Sequence, residues 1–286
     1  MNKELPTNMR QRQLAIVLLD IIGSTAFVQR FGAVSAAKLF QHHDRLTRSL
    51  IYKYDGREID RSDGFLCSFE KPVDALNFAL HYQRYVPLKT TLKCRIGIHW
   101  GSIIEVIQDD VYVGAGAKRV ELEGLSKNIA ARTMSLCQPG QVLLTKEALN
   151  KVRNRTNHFT PKNTLFGCAG LYKFKGVKTP QEIYMVAEDS KYLVPPPGSD
   201  KVKRLGGPKE IRIRAKNRKL KDWLMWLINI LAKIGTILWI ILIIHIITHP
   251  PTRRFIGIYD EFVWLDNLLI FIKDSWHFVL KDLGFK

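Results

Sequence analysis

Cysteine is scarce: four residues in 286 (Cys67, Cys94, Cys137, Cys168), evenly spread and without a CxxC pair. That argues against a disulfide scaffold or a zinc ribbon and fits a reducing compartment. The N-terminal stretch MNKELPTNMRQRQ has no apolar run, so no cleaved signal peptide is expected. Acidic residues are also few, 26 against 44 Lys and Arg, for a net charge of +18. Such an excess points to a polyanionic partner: nucleic acid, anionic lipid or a phosphate-bearing ligand. Apolar residues are not lacking. At 46% hydrophobic and 24% charged, the composition excludes wholesale disorder.

The chain changes character along its length. Residues 12–188 alternate short apolar runs with amphipathic stretches, a mixed α and β pattern. Pro195, Pro196, Pro197 and Gly198, then Gly206, Gly207 and Pro208, punctuate a linker over 189–222. From Lys201 to Asp222 ten basic residues face two acidic ones. The run Trp223–Ile247 follows, with one formal charge at Lys233. As a helix it is about 37 Å long, enough to cross a ~30 Å hydrocarbon core with some tilt. Trp223 and Trp226 sit where an interfacial aromatic belt would lie. A buried helix of a soluble domain is the competing reading, but the chain beyond is too short to surround one. The expectation is therefore a single transmembrane helix over 223–248 in the cell membrane. The basic run before it places the large N-terminal domain in the cytoplasm. Beside an apolar helix, residues 201–222 fit anionic headgroups better than nucleic acid, and no nucleic-acid partner is expected. In 255–286 polar residues recur near every seventh position, the pattern of an amphipathic tail helix. It suits the membrane interface, a second span or an oligomer contact, and the interface is favoured.

Within the N-terminal domain, an apolar run from Gln13 ends at Asp20 and leads into Ile21-Ile22-Gly23-Ser24-Thr25. A helix is expected over about 34–54, then a single strand, REIDRSDGFLCSF, carrying Asp63. Strand-end carboxylates commonly hold divalent metals, and a Gly-Ser-Thr turn into a helix offers backbone N–H groups to a phosphate. Either aspartate alone reads as a turn or cap residue; together with the turn they make a metal–phosphate signal. LKCRIGIHWGSII reads as strand, turn and strand, and a strand is expected at 142–145. Between them lies a helix-like segment in which Asn128 and Arg132, four apart, share one face. Spacing alone makes that pair a solvated helix face. An arginine beside a triphosphate can also stabilise charge on a transferring phosphoryl group.

These residues resemble the class III nucleotidyl cyclases, the adenylate and guanylate cyclase catalytic domains. The motifs are LLDIIGST (18–25), SDGFLCSF (62–69), RIGIHWG (95–101), NIAARTMSLCQPGQVLLT (128–145) and KFKGVKTPQEIYMV (173–186), in the family's order. The resemblance implies an α/β (α+β), ferredoxin-like catalytic domain over 12–188, followed here by the transmembrane helix. It implies a head-to-tail homodimer with active sites at the interface. Asp20 and Asp63, with the Ile21 carbonyl, match the ligands of two Mg²⁺ or Mn²⁺ ions. Gly23, Ser24 and Thr25 match the phosphate-binding turn, Asn128 the ribose-orienting residue and Arg132 the transition-state arginine. The reaction implied turns a nucleoside triphosphate, ATP by default, into a 3′,5′-cyclic nucleotide and pyrophosphate. Where the family reads the base, this chain has Ile59, and Glu121 stands where an aspartate is usual. Lys127, directly before Asn128, and Ser62, in place of a glycine, are further departures. GTP, a pyrimidine triphosphate or a non-catalytic nucleotide-binding domain are the alternatives.

Overall fold

The computed structural model describes residues 5–62, 64–153 and 163–248. Asp63 and the tail at 255–286 lie outside the described residues. Two compact units are distinguished, 1–214 and 215–286.

The first unit opens with β1 (Met9–Ile21), α1 (Ser24–Phe31) and α2 (Ala33–Lys53). Then come β2 (Gly56–Arg61), β3 (Gly64–Phe69), α3 (Pro72–Thr90) and β4 (Cys94–Ile107). These strands lie in the order β2-β3-β1-β4, all antiparallel, with α2 and α3 as the crossovers. This is the ferredoxin-like arrangement. The period of two along β1 builds both faces. Ala15, Val17, Leu19 and Ile21 pack with Leu50 and Ile51 of α2 and Leu76 and Leu80 of α3. Leu14 and Ile16 pack on the other face with Ile59, Ile103, Leu122 and Ala130.

The chain continues through α4 (Asp110–Gly114), β5 (Val120–Glu123), α5 (Leu125–Leu136), β6 (Val142–Thr145) and α6 (Lys146–Arg153). It closes with β7 (Leu165–Phe174), β8 (Gln181–Ala187), β9 (Gly198–Ser199) and β10 (Val202–Gly206). Strand β6 joins β4 in parallel, β5 pairs with the far end of β4, and the sheet runs on as β6-β8-β7-β10-β9. The sheet thus extends past residue 188: the hairpin of β9 and β10 lies within the stretch whose prolines and glycines suggested a linker.

Two local expectations are corrected. Gly56–Arg61 and Gly64–Phe69 are two paired strands, β2 and β3, rather than one, and Cys94–Ile107 is one 14-residue strand without a turn. Gly101, within that strand, makes room for a helix: a Cβ there would lie 2.3 Å from the Ser126 Oγ.

In α7 (Pro208–Thr248), Trp223–His245 is long and apolar enough to cross a membrane, with a mean hydropathy of 2.4 over its best window. None of that window is buried, unlike a core helix of a soluble protein.

Candidate active site

Asp20 sits at the end of β1 with its side chain on the sheet face opposite α2. Its ladder partner on β4 is Arg95, whose Nε and Nη2 donate to the Asp20 Oδ2 at 2.9 and 2.6 Å. Both side chains are partly exposed, at 20% and 30%. On the other side, Asp20 faces Gly64 of β3. A Cβ on Gly64 would lie 2.1 Å from the Leu19 carbonyl oxygen, so only glycine lets β3 close on β1 beside the carboxylate.

The chain leaves β1 through Ile22, whose N–H donates to the Lys93 carbonyl. It turns at Gly23, which is left-handed (φ 74°, ψ 21°) and caps α1 without a side-chain bond. The N–H groups of Ser24, Thr25 and Ala26 find no acceptor among the described residues, as the first turn of a helix requires unless a ligand or water supplies one. A hollow of about 360 Å³ opens here, lined by Ile21, Ser24, Thr25, Arg61 and Ser62. Arg61 is held from behind: its Nε donates to both Asp44 oxygens at 3.0 and 3.1 Å, and its Nη1 donates to the Ser62 carbonyl. His43 lies fully buried behind Asp44, its Nε2 2.6 Å from the Tyr82 hydroxyl, which donates to the Cys94 Sγ. Burial pushes the His43 pKa down, against the pull of Asp44.

Helix α5 lies across β4. A Cβ on Gly97 would come within 2.2 Å of the Met134 amide nitrogen, and the Ser126 Oγ donates to the Ser102 carbonyl at 2.6 Å. This seat leaves Asn128 exposed and Arg132 half-buried. The Arg132 Nε is buried without a partner among the described residues. Lys127 is tied to Glu123, four residues back, at 2.7 Å, so its charge is directed away from Asn128.

Asp20, Ile21, Gly23, Ser24 and Thr25 are thus gathered at one corner. Asn128 and Arg132 form a second group on α5, with no hydrogen bond or ion pair to Asp20 among the described residues. Glu121 is exposed on β5, facing away from the buried Leu122. Ile59 is 7% exposed and packs into the core. It sits at a β-bulge between Glu58 and Asp60, and Asp60 pairs with Lys118 beside an open hollow of about 520 Å³.

Sequence reasoning missed Arg95 and Arg61. Each is an arginine inside or beside an apolar strand, a cost that calls for a partner. Among the described residues no cluster of three His, Cys, Asp or Glu could hold a metal. The donors at hand, a carboxylate with Oδ1 unengaged among those residues and a backbone carbonyl, are hard oxygens suited to Mg²⁺ or Mn²⁺.

The chain matches the family described as the adenylate and guanylate cyclase catalytic domain over residues 7–188. It is 27% identical over 215 residues to the receptor-type adenylate cyclase ESAG 4 of Trypanosoma brucei brucei, covering 60% of this chain and 16% of that protein. It is 33% identical over 122 residues to the receptor-type adenylate cyclase GRESAG 4.1 of the same organism, covering 41% and 9%. The chain spans less than a third of the length of the curated relatives it matches. Among solved structures, the adenylyl cyclase CyaB from P. aeruginosa aligns with a TM-score of 0.55 at 17% identity, over 65% of this chain and 98% of that one. The guanylate cyclase domain of RhGC from Catenaria anguillulae, in complex with GTP, aligns at 0.52 and 16%, over 62% and 97%. Those structural likenesses bear on the fold, and the family match spans most of the first unit: the chain belongs to the adenylate and guanylate cyclase catalytic domain family.

Proposed function

We propose that this chain is a membrane-anchored nucleotidyl cyclase that turns a nucleoside triphosphate, ATP by default, into a 3′,5′-cyclic nucleotide and pyrophosphate for second-messenger signalling. The observation that carries the reading is the corner where Asp20, paired with Arg95, meets the amides that open α1 and find no acceptor among the described residues.

In this reading the amides of Ser24 and Thr25 receive phosphate oxygens, which the helix N-terminus favours. Arg95 exchanges its bond to Asp20 for one to the triphosphate, keeping the site's charge balanced as substrate enters. Asn128 orients the ribose and Arg132 stabilises the charge that develops on the α-phosphoryl group. Because these two stand apart from Asp20 within one protomer, they serve the site of a second copy in a head-to-tail homodimer. The 3′-hydroxyl attacks the α-phosphorus in line, and pyrophosphate leaves opposite. Two Mg²⁺ or Mn²⁺ ions, held by Asp20, the Ile21 carbonyl and Asp63, would supply the activation of that hydroxyl and the bracing of the triphosphate.

The anchor is Trp223–His245, crossing the membrane once with the catalytic unit in the cytoplasm and 201–222 against anionic headgroups.

Base choice admits a second reading, because Ile59 is buried and carries no group that could bond a base. Glu121 and the Asp60–Lys118 pair are the polar groups nearby in the chain, which leaves GTP or a pyrimidine triphosphate in play. The test is full-length protein in detergent with Mn²⁺ and each of ATP, GTP, CTP and UTP, with products read by mass spectrometry. One dominant cyclic monophosphate supports the reading and settles the base. Bound nucleotide without cyclic product overturns it in favour of a non-catalytic signalling domain.

A further inference from the structure

The family match ends at residue 188, yet residues 189–206 stay within the first compact unit. They run through a short helical turn at Ser190–Tyr192, three prolines and the β9–β10 hairpin, and lead into α7 at Pro208. What holds this stretch down is buried. Gln141, 2% exposed, donates from its Nε2 to the Tyr192 and Val194 carbonyls at 3.0 and 2.7 Å. The hydroxyl of the fully buried Tyr172 donates to the Pro196 carbonyl at 2.7 Å. At Gly140, left-handed at φ 78°, an added Cβ would lie 2.6 Å from the Tyr192 ring.

The same contacts reach α5. The Gln141 Oε1 accepts the Gln138 N–H at 3.0 Å, and Gln138 directly follows Cys137, the C-cap of α5. Leu193 packs against an apolar cluster that joins Ile129 and Leu136 of α5 to Val202 of β10. Helix α5 is thus held by β4 at Gly97 and Ser102 and, at its C-terminal end, by Gln141 and a cluster that the stretch 189–206 completes. A buried amide side chain costs free energy unless its bonds are made. The three bonds of Gln141 therefore lock the stretch and the end of α5 into one arrangement.

We infer that residues 189–206 form a strap that positions α5, with Gln141 and Tyr172 as positioning residues for Asn128 and Arg132. This rests on the reading in which α5 of one protomer completes the site of its partner. Both residues affect the reaction through the helix. An arginine that meets charge developing in the transition state tolerates little displacement, and a shift of about 1 Å can cost on the order of a hundredfold. The catalytic unit of this chain then ends at the β9–β10 hairpin and not at residue 188.

The test uses mixed dimers of full-length chains in detergent, isolated by separate tags. An Arg132→Ala chain contributes Asp20 to the one intact site, and an Asp20→Ala chain contributes α5. Gln141→Leu is then added to one chain or to the other. On the Asp20→Ala chain it should lower kcat about tenfold, with a smaller effect on KM. On the Arg132→Ala chain, whose own α5 is already silent, it should leave kcat unchanged, and this arm shows that the variant folds and pairs. Tyr172→Phe, which removes one hydroxyl, should show the same asymmetry at smaller size, and it decides the matter if Gln141→Leu chains do not pair. Equal losses in the two placements overturn the positioning role and make these residues ones of general stability. No loss in either placement overturns the strap. A mixture without strap substitutions that recovers no activity overturns the shared site, and the role of the strap with it.

Discussion

Asp20 and Arg95 face each other across the β1–β4 ladder, and two guanidinium nitrogens of Arg95 converge on one carboxylate oxygen, at 2.6 and 2.9 Å. A cation binding Asp20 in the nucleotide-free protein competes with that pair. A charge-assisted bond contributes about 1.5–3 kcal/mol, and partial exposure brings this towards ~1 kcal/mol. Arg95→Gln should therefore tighten Mn²⁺ binding to the free protein by about fivefold while turnover falls by about tenfold or more, since the triphosphate loses a cation. Electron paramagnetic resonance of Mn²⁺ reads the first and a turnover assay the second. Weaker Mn²⁺ binding in the variant would show that Arg95 orients the carboxylate instead of competing for it.

Helix α5 carries Asn128 and Arg132 and rests on Gly97. An added Cβ would meet backbone atoms of Met134 at 2.2 and 2.6 Å, so the helix itself must move. Gly97→Ala should cost ~1–3 kcal/mol and lower the melting temperature. It should lower activity further than stability explains, because both site residues ride on the displaced helix. Gly114→Ala, with open space around its Cβ, is the control and should leave both unchanged. Calorimetry and turnover on the same samples check this; full activity in Gly97→Ala would mean that the placement of α5 does not matter to the chemistry.

Buried histidines give the fold a sign for its acid response. His99, 4% exposed and 2.8 Å from the Thr145 hydroxyl, has its pKa pushed down to about 4 by burial. Between that value and its ordinary 6.5 the unfolded chain binds a proton that the folded chain refuses, so stability falls as pH drops through this window. The loss by pH 4 is on the order of 3 kcal/mol from this residue. His43, shifted down by the same cause, acts in the same direction. Denaturant midpoints from pH 7 to 4 should show the decline, and His99→Gln should flatten it. An unchanged slope in that variant would assign the decline to other groups.

What was legible in the sequence was local. The apolar, β-leaning run from Gln13 to Leu19 announced a strand, and Asp20 stood at its end before a Gly-Ser-Thr turn. Helix α2 and strand β6 lie where apolar spacing put them. Contacts between distant segments were not legible. The segment LKCRIGIHWGSII was expected to turn, yet it is one strand in which Gly101 leaves room for Ser126, 25 residues away. Strand β10 reads as polar linker, since Val202 is its one buried residue and its partner β7 is some thirty residues upstream. The Asp20–Arg95 pair depends on the register of two strands 75 residues apart. The sequence spacing of Asn128 and Arg132 put them on one helix face, but whether that face meets solvent or a partner is a property of the assembly.

That last point has a genetic test. If Asp20 of one protomer works with Arg132 of the other, Asp20→Ala and Arg132→Ala chains are each inactive alone. Co-expressed in equal amounts with separate tags, they form heterodimers in half of all pairings, and each heterodimer keeps one intact site of two. Activity should return to about a quarter of the wild-type value, as two-fold symmetry dictates. Co-expression of Asp20→Ala with Asp63→Ala should restore nothing, because both lesions fall on the metal-binding half and every pairing spoils both sites. A site built within one protomer gives no recovery in either mixture, so recovery in the first mixture alone distinguishes a shared active site from a self-contained one.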